Sequence, residues 1–264
     1  MRSALILTVS ACLVLVGPLS FSMTASAQQR VLDTYSLEEG LPQSQVFDVL
    51  QDERGYLWFA LLGGGVARFD GHDFTTLTTE DGLPSEAVEV LHEDTSGTLW
   101  IGSRSGLTRY DGRTMTTFTT KDGLPSDRIF SLGNGPDGTL WVGTGKGVVS
   151  YDGTSFEPLA PDRLGGRAAR ALEARGDALW IGGTAGLHRY EDAELASIAD
   201  SSLGEVNSIA PRTEDGLWIG TFNGFFYVAG TTVRAVPNGQ SLAVRELLNR
   251  SDGPLGLGPE SGAY

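Results

Sequence analysis

The sequence predicts an all-β protein built from repeated four-stranded antiparallel sheets. All five tryptophans stand in one recurring phrase, and successive copies lie 38 to 42 residues apart. Each copy is surrounded by short alternating apolar stretches and by turns that contain Gly, Asp or Pro, with no helical period. Four short strands in about 40–45 residues are typical of a β-propeller blade. We therefore expect a β-propeller of about five complete blades plus a truncated sixth, in an incomplete, open ring.

The first 27 residues have the organisation of a secretory signal peptide. Arg2 is followed by an apolar run, and Ala25-Ser26-Ala27 forms a small-x-small cleavage pattern. This order predicts cleavage after Ala27 and export to the periplasm or the exterior. An uncleaved membrane anchor and a lipoprotein modified at Cys12 are the alternatives.

Composition excludes several kinds of chemistry. Cys12 is the only cysteine and lies within the signal, so the exported part has no disulfide and no cysteine nucleophile. The net charge of −14 would repel nucleic acid and anionic membranes. Three scattered histidines give no metal-ligand spacing, and no cofactor motif is present. We expect no cofactor, no metal and no catalytic residue.

Residues 28–264 are predicted to form one propeller repeat domain. Repeats four and five depart from the Gly-Leu-Pro and Asp-Gly phrases, and the last unit stops within its third strand. Residues 30–36 match the end of a repeat and are predicted to be an orphan outer strand. The predicted blades are about 43–80, 84–121, 125–162, 165–202 and 204–241, with a partial blade at 242–264.

Recurring residues are assigned structural roles. The Gly-Leu-Pro segments should join one blade to the next, with leucine filling the seam between them. Asp70-Gly71, Asp111-Gly112 and Asp152-Gly153 are predicted to form two-residue type I′ hairpin turns. The tryptophans are predicted to form the repeat core: Trp58, Trp100, Trp141, Trp180 and Trp218.

The repeat "DGLPS…VEVLHEDTSGTLWIGSRSGLTRYDG" closely resembles the two-component-regulator propeller repeat, over roughly residues 30–264. The resemblance implies the periplasmic sensor region of a sensor histidine kinase, often a hybrid one. In that family a membrane span and kinase modules follow the propeller. His72, His92 and His188 stand in or beside strand patterns here. Any kinase activity would therefore lie in sequence that is not present.

Loops that differ between repeats are the predicted location of a binding site. In a propeller, the fourth-to-first and second-to-third strand loops share one face, and constant strands with variable loops are typical of a binding scaffold. Basic side chains there would suit a carboxylate or sulfate, and an aromatic ring would suit a sugar. The candidates on this rim are Arg104, Arg128, Lys146, Arg167, Phe222 and Asn223.

The leading hypothesis is an exported, non-catalytic propeller that senses a carbohydrate or other small ligand as part of a signalling receptor. The phrase "DGTLWVGT" is also similar to propeller lyases of the streptogramin type, so a propeller lyase or glycan-acting enzyme is the first alternative. A repeat scaffold or gene remnant without a small ligand is the second. Self-association through propeller edges or faces is expected, and membrane contact only through a downstream segment or an uncleaved signal.

Overall fold

A computed structural model describes residues 36–38, 40–198, 203–212 and 216–236, together with two short strands at 246–248 and 256–258. All of them belong to one unit of the chain, residues 35–264. The predicted signal peptide lies outside the described residues, as does the predicted strand at 30–36 apart from Ser36. In the part of the chain that is described, no helix has the length and apolar character of a membrane span.

Within the described residues, five four-stranded antiparallel sheets follow one another in sequence, and the predicted all-β fold class is confirmed. Each sheet has its strands in simple sequence order. The first sheet contains β1 (Val46–Gln51), β2 (Leu57–Leu61), β3 (Gly65–Phe69) and β4 (Phe74–Leu77). The second contains β5 (Val88–Glu93), β6 (Leu99–Ser103), β7 (Gly106–Tyr110) and β8 (Met115–Phe118). The third contains β9 (Ile129–Asn134), β10 (Leu140–Thr144), β11 (Gly147–Tyr151) and β12 (Phe156–Pro158).

The remaining sheets continue the same pattern. The fourth contains β13 (Ala169–Arg175), β14 (Ala178–Gly183), β15 (Gly186–Glu191) and β16 (Glu194–Ile198). The fifth contains β17 (Val206–Pro211), β18 (Leu217–Thr221), β19 (Gly224–Ala229) and β20 (Thr232–Ala235). A final antiparallel pair, β21 (Glu246–Leu248) and β22 (Gly256–Gly258), forms a two-stranded sheet. One short helix, α1 (Pro161–Leu164), lies in the connection between the third and fourth sheets.

The sheets are arranged as propeller blades around their first strands. These innermost strands contact one another in chain order, from β1 through β5, β9, β13 and β17 to β21. Among the described residues no extensive contact leads from the last strand back to β1, so the described ring is open.

Close approach of neighbouring blades depends on the glycine of the Leu-Trp-Ile-Gly phrase. A Cβ atom added at Gly102 would lie 2.5 Å from Val90 Cγ1 and 2.7 Å from Ile129 Cγ2, which belongs to the next blade. At Gly182 the added atom would lie 2.4 Å from Val206 Cγ1, again in the next blade. The missing side chain thus makes room for the next innermost strand.

Leucine from each segment that connects two blades fills the seam between them, and among the described residues the equivalent Leu41 packs on the first blade alone. Leu83, for example, packs in one cluster with Trp58 of the first blade and Val88 of the second. The leucine persists where the Gly-Leu-Pro phrase has drifted. The five equivalent leucines, each at most 5% exposed, are Leu41, Leu83, Leu124, Leu164 and Leu203.

An aspartate clamps the turn that precedes the tryptophan strand in the first two blades. Asp94 Oδ1 accepts hydrogen bonds from the backbone N–H groups of Ser96 and Thr98, at 2.8 and 3.1 Å. Its Oδ2 accepts one from Trp100 Nε1 at 2.8 Å. Asp52 and Trp58 make the same contact at 2.9 Å. Burial by itself would raise the pKa of Asp94, but a hydrogen bond from the Ser96 hydroxyl, together with those from Trp100 and the backbone, lowers it below the ordinary value.

The Asp-Gly hairpins differ from the prediction. Phe69 pairs with Phe74, so the loop between them has four residues, and only Gly71 of its Asp-Gly pair has a positive φ. The prediction of two-residue type I′ turns was therefore wrong. Asp70 instead accepts backbone hydrogen bonds from His72 and Asp73, which stabilise the longer loop. A two-residue turn with both φ angles positive does occur at 192–193, where the Asp-Gly signal has drifted.

The innermost strand of the first blade keeps an exposed apolar face. Val49 is 53% exposed, whereas the equivalent Leu91 of the second blade is 5% exposed. Val46 is 38% exposed, whereas the equivalent Val88 is fully buried. In the later blades this face packs against the preceding blade, which the first blade lacks among the described residues.

We expect Gly102→Ala to lower the free energy of unfolding by about 1–3 kcal/mol, because its methyl group would overlap Val90 and Ile129. Gly133→Ala is the matched control, since a Cβ there meets Leu172 Cβ at an ordinary 3.8 Å. Urea unfolding of both variants measures the difference. Equal losses would show that close approach at Gly102 is unimportant.

We expect Asp94→Ala to destabilise the protein by about 2 kcal/mol, because it leaves the Trp100 indole N–H and two backbone N–H groups without their acceptor. Asp137→Ala should cost less than about 1 kcal/mol, since Asp137 accepts a hydrogen bond from the Thr139 backbone in an exposed turn. Thermal unfolding of the two variants tests this. A smaller loss for Asp94→Ala than for Asp137→Ala would contradict the clamp.

Candidate functional site

A β-bulge recurs at the second residue of every described innermost strand of a four-stranded blade. In the second blade Val88 pairs with Ser103 and Val90 with Gly102, which leaves the residue between them without a partner across the sheet. The same shift occurs in the other four blades. The five bulge residues are Phe47, Glu89, Phe130, Arg170 and Asn207.

These five positions combine a constant frame with variable side chains. The residue before each bulge is Val, Ile or Ala, whereas the bulge residue is aromatic, acidic, basic or an amide. A bulge re-aims the side chain of its extra residue out of the normal alternation, and bulges are frequent beside functional sites. We name the five side chains the bulge row.

The bulge row lies on the face that carries the variable loops. The N–H group of Arg104, in the second-to-third strand loop, donates to the carbonyl of Ala87, just before β5, at 3.1 Å. Gly145 donates likewise to Arg128, just before β9, at 2.9 Å. The starts of the innermost strands and these hairpin loops therefore share one face.

Glu89 is the centre of the best-ordered polar cluster on this face. Its side chain is 5% exposed, and its Oε1 accepts hydrogen bonds from Arg104 Nε at 2.8 Å and from Arg128 Nη2 at 2.7 Å. Arg128 Nε also donates to Oε2 at 3.1 Å, so this pair is bidentate. The buried carboxylate thus fixes two guanidinium groups that come from different blades.

An aromatic ring continues the cluster into the fourth blade. The guanidinium groups of Arg128 and Arg170 both lie over the ring of Phe130, with Cζ 4.3 and 4.9 Å from the ring centroid. Arg170 Nε donates to Glu205, which precedes β17. Cation–π contacts of this kind stabilise the arrangement by about 0.5–1 kcal/mol each at exposed sites.

The structure brings Arg104 and Arg128 together and distributes the other four predicted rim residues over later blades. Lys146 lies in the β10–β11 hairpin, where its carbonyl accepts a hydrogen bond from Gly166. Arg167 precedes β13. Burial lowers the pKa of His188, and the charges of Arg163 and Arg167 lower it further. Phe222 is 42% exposed in the β18–β19 hairpin.

Asn223 lies beside Phe222 in the same hairpin. A Cβ added at Gly204 would lie 2.6 Å from Asn223 Nδ2, so this amide packs against the segment that enters the fifth blade. Sequence reasoning missed Glu89, Phe130 and Arg170, although they vary beside a constant neighbour in every repeat. Alternation alone does not reveal a bulge, because the extra residue breaks the two-residue period locally.

Two titratable groups lie farther along the innermost strands, away from the bulges. Burial raises the pKa of Glu173 on β13 to about 7, and the charge of Arg175 opposes that shift. Burial lowers the pKa of His92 on β5, while Asn134 and nearby acidic groups oppose it. No group of three or more potential metal ligands occurs in the described ranges.

The family described as the two component regulator propeller matches residues 40–63 and 123–146 of this chain. Both ranges lie within residues 30–264, over which the resemblance to this family was predicted, and the predicted resemblance is confirmed. No curated protein sequence matches the chain.

Solved structures share the fold. The extracellular domain of the B. thetaiotaomicron protein BT4673, described as a one component and as a hybrid two component system, is 21% identical with a TM-score of 0.61. The match covers 83% of this chain and 38% of that one. Virginiamycin B lyase from Staphylococcus aureus, in a complex with quinupristin, is 16% identical with a TM-score of 0.64 over 82% of this chain and 79% of the lyase.

A third similar structure is PorZ, a surface component of the type-IX secretion system of Porphyromonas gingivalis. It is 18% identical with a TM-score of 0.61, over 82% of this chain and 37% of PorZ. This chain therefore spans well under half the length of BT4673 and PorZ. At such identities the likenesses establish a shared fold, which sensor domains, a lyase and a secretion component all use.

We expect Glu173→Gln to flatten the pH dependence of stability. Because the folded-state pKa is raised, the stabilising effect of the protonated carboxyl is fully present below the ordinary glutamate pKa. It is lost as pH rises to about 7. Above pH 7 the variant should be more stable than the wild type by about 1–2 kcal/mol, after allowance for solvent screening.

Chemical denaturation between pH 4 and pH 8 measures this effect. Glu157→Gln on the exposed face of β12 is the control and should keep the wild-type slope. Parallel curves for Glu173→Gln and the wild type would contradict the raised pKa.

Proposed function

We propose that this chain is an exported, non-catalytic sensor domain that binds a small ligand at the bulge row. The carrying observation is the row itself, in which a constant backbone frame presents five side chains of four different kinds on the loop face. Phe130 with two arginines offers an apolar ring beside hydrogen-bond donors, a combination typical of binding sites for polar organic ligands. Similarity to extracellular domains of two component systems supports the assignment to a sensor.

The proposal includes a receptor context. The chain would be the periplasmic or secreted part of a two-component receptor, whose membrane span and histidine kinase would lie in sequence beyond residues 1–264. The candidate ligands are carbohydrates and other small polar molecules. Ligand binding would change how the propeller contacts its receptor partners, and that change would be the signal.

A ligand screen tests the binding proposal. Oligosaccharides, amino acids and dicarboxylates are screened by thermal unfolding of the full chain, and each hit is titrated by calorimetry. We expect a hit to bind Phe130→Ala at least tenfold more weakly than the wild type, since about 1.4 kcal/mol of ring contact corresponds to a factor of ten.

Thr116→Ala, on the exposed outer strand β8, is the control and should bind such a hit like the wild type. Hits that bind Phe130→Ala as well as the wild type, or a screen without any hit, would count against a ligand site at the bulge row.

A propeller lyase is the second candidate. Glu173 and His92 lie on innermost strands, and a carboxyl with a pKa of about 7 suits general acid–base chemistry near neutral pH. The fold is also shared with virginiamycin B lyase. The chain is incubated with quinupristin, and the mixture is followed by mass spectrometry. Unchanged quinupristin favours the sensor, whereas consumption that Glu173→Gln abolishes favours the lyase.

A further inference from the structure

Three arginines from three blades form one continuous row. Arg104 and Arg128 converge on the same oxygen atom, Glu89 Oε1, at 2.8 and 2.7 Å. Arg128 and Arg170 lie over the same ring, that of Phe130. Each guanidinium group therefore has the next one as its neighbour. The row extends from the second blade to the fourth.

Most of the hydrogen-bond donors in this row remain available. A guanidinium group carries five N–H donors. The described contacts use Nε of Arg104, Nε and Nη2 of Arg128, and Nε of Arg170. The three arginine side chains are 45%, 45% and 32% exposed. Other N–H groups of these side chains can therefore be reached from solvent.

The acidic partners hold the arginines in place without cancelling their charge. Three guanidinium groups face two carboxylates, those of Glu89 and Glu205, which leaves a positive surplus in a chain whose net charge is −14. Glu89 is nearly buried and bonded to both of its arginines, so it orients them before any ligand arrives. Such preorganisation reduces the entropy that a ligand must supply on binding.

We propose that Arg104, Arg128 and Arg170 form a receptor for an oxyanion, namely a carboxylate, sulfate or phosphate group of the sensed ligand. The planar fork of N–H donors on a guanidinium group matches two oxygen atoms of such a group. The proposal rests on the proposed function, since it names the chemistry of the ligand at the same bulge row. Phe130 lies within the row and would contact the part of the ligand that carries the acid.

The test measures binding of simple anions to the full chain. Sodium sulfate, sodium phosphate and sodium acetate are titrated separately at constant ionic strength, with sodium chloride as the balancing salt. Calorimetry gives the affinity, and NMR signals of the arginine Nε–H groups report which side chains respond. Comparison of the three anions distinguishes a sulfate, phosphate or carboxylate source.

We expect saturable binding of at least one anion that shifts the arginine signals of the row. Arg128→Met and Arg170→Met should each weaken this binding at least tenfold. Arg113→Met, in the exposed β7–β8 turn, removes the same charge elsewhere and should leave the affinity unchanged. Arg128→Met also removes an ion-pair partner of the buried Glu89. Arg170→Met leaves both partners of Glu89 in place and therefore tests the row independently of that loss.

Two results would overturn the oxyanion receptor. One is the absence of saturable binding for all three anions, and the other is equal binding by the wild type and both row variants. Failure of the sensor proposal has a different signature. When the oxyanion receptor has failed in either way, a neutral hit that depends on Phe130 but not on Arg128 still supports the sensor. Saturable anion binding without any hit in the organic screen supports the oxyanion receptor and counts against the sensor.

Discussion

The fold depends on how closely one innermost strand can approach the blade before it. That approach requires a very small residue two positions after each tryptophan, which is Ala60 in the first blade and glycine in the other four. At Gly102 and Gly182 a single added carbon would overlap the next blade. Tryptophan covers one side of this contact, and the buried leucine of the connecting segment closes the other. Dense packing of this kind tolerates little change in volume. The repeat phrase is therefore conserved within the chain for a steric reason, and the loops are free to differ.

Close packing between blades determines where binding chemistry can be placed. The middle of each innermost strand packs against a neighbouring blade, so polar side chains gather where these strands begin. There, the recurrent bulge takes one residue per blade out of the regular alternation, and Glu89 and Arg170 contact other side chains on the loop face. Glu89 and Arg128, which belong to adjacent blades, can then meet across the seam. The same seams that stabilise the propeller thus align its polar residues in a row.

Sequence reasoning predicted the parts of the structure that are fixed by local chemistry. The tryptophan spacing predicted the blades, and the phrase around Trp100 predicted the strands, because each depends on periodicity and turn residues. It failed at Asp70-Gly71, where the aspartate side chain accepts hydrogen bonds from residues two and three positions on and stabilises a longer loop. It placed Arg104 and Arg128 on one face but missed Glu89 between them. That ion cluster depends on a register shift and on contacts across 39 residues of sequence, which a local pattern does not contain.

The bulge also determines how such a protein can change. Because the bulge residue stands outside the regular ladder register, replacing it changes a side chain of the row while the neighbouring Val88 and Ser103 keep their pairing. Each of the five blades therefore contributes one side chain of variable chemistry to the bulge row. A duplicated or exchanged blade would carry its own bulge side chain into its new position. The chemistry of the loop face can in this way diverge one blade at a time within an unchanged fold.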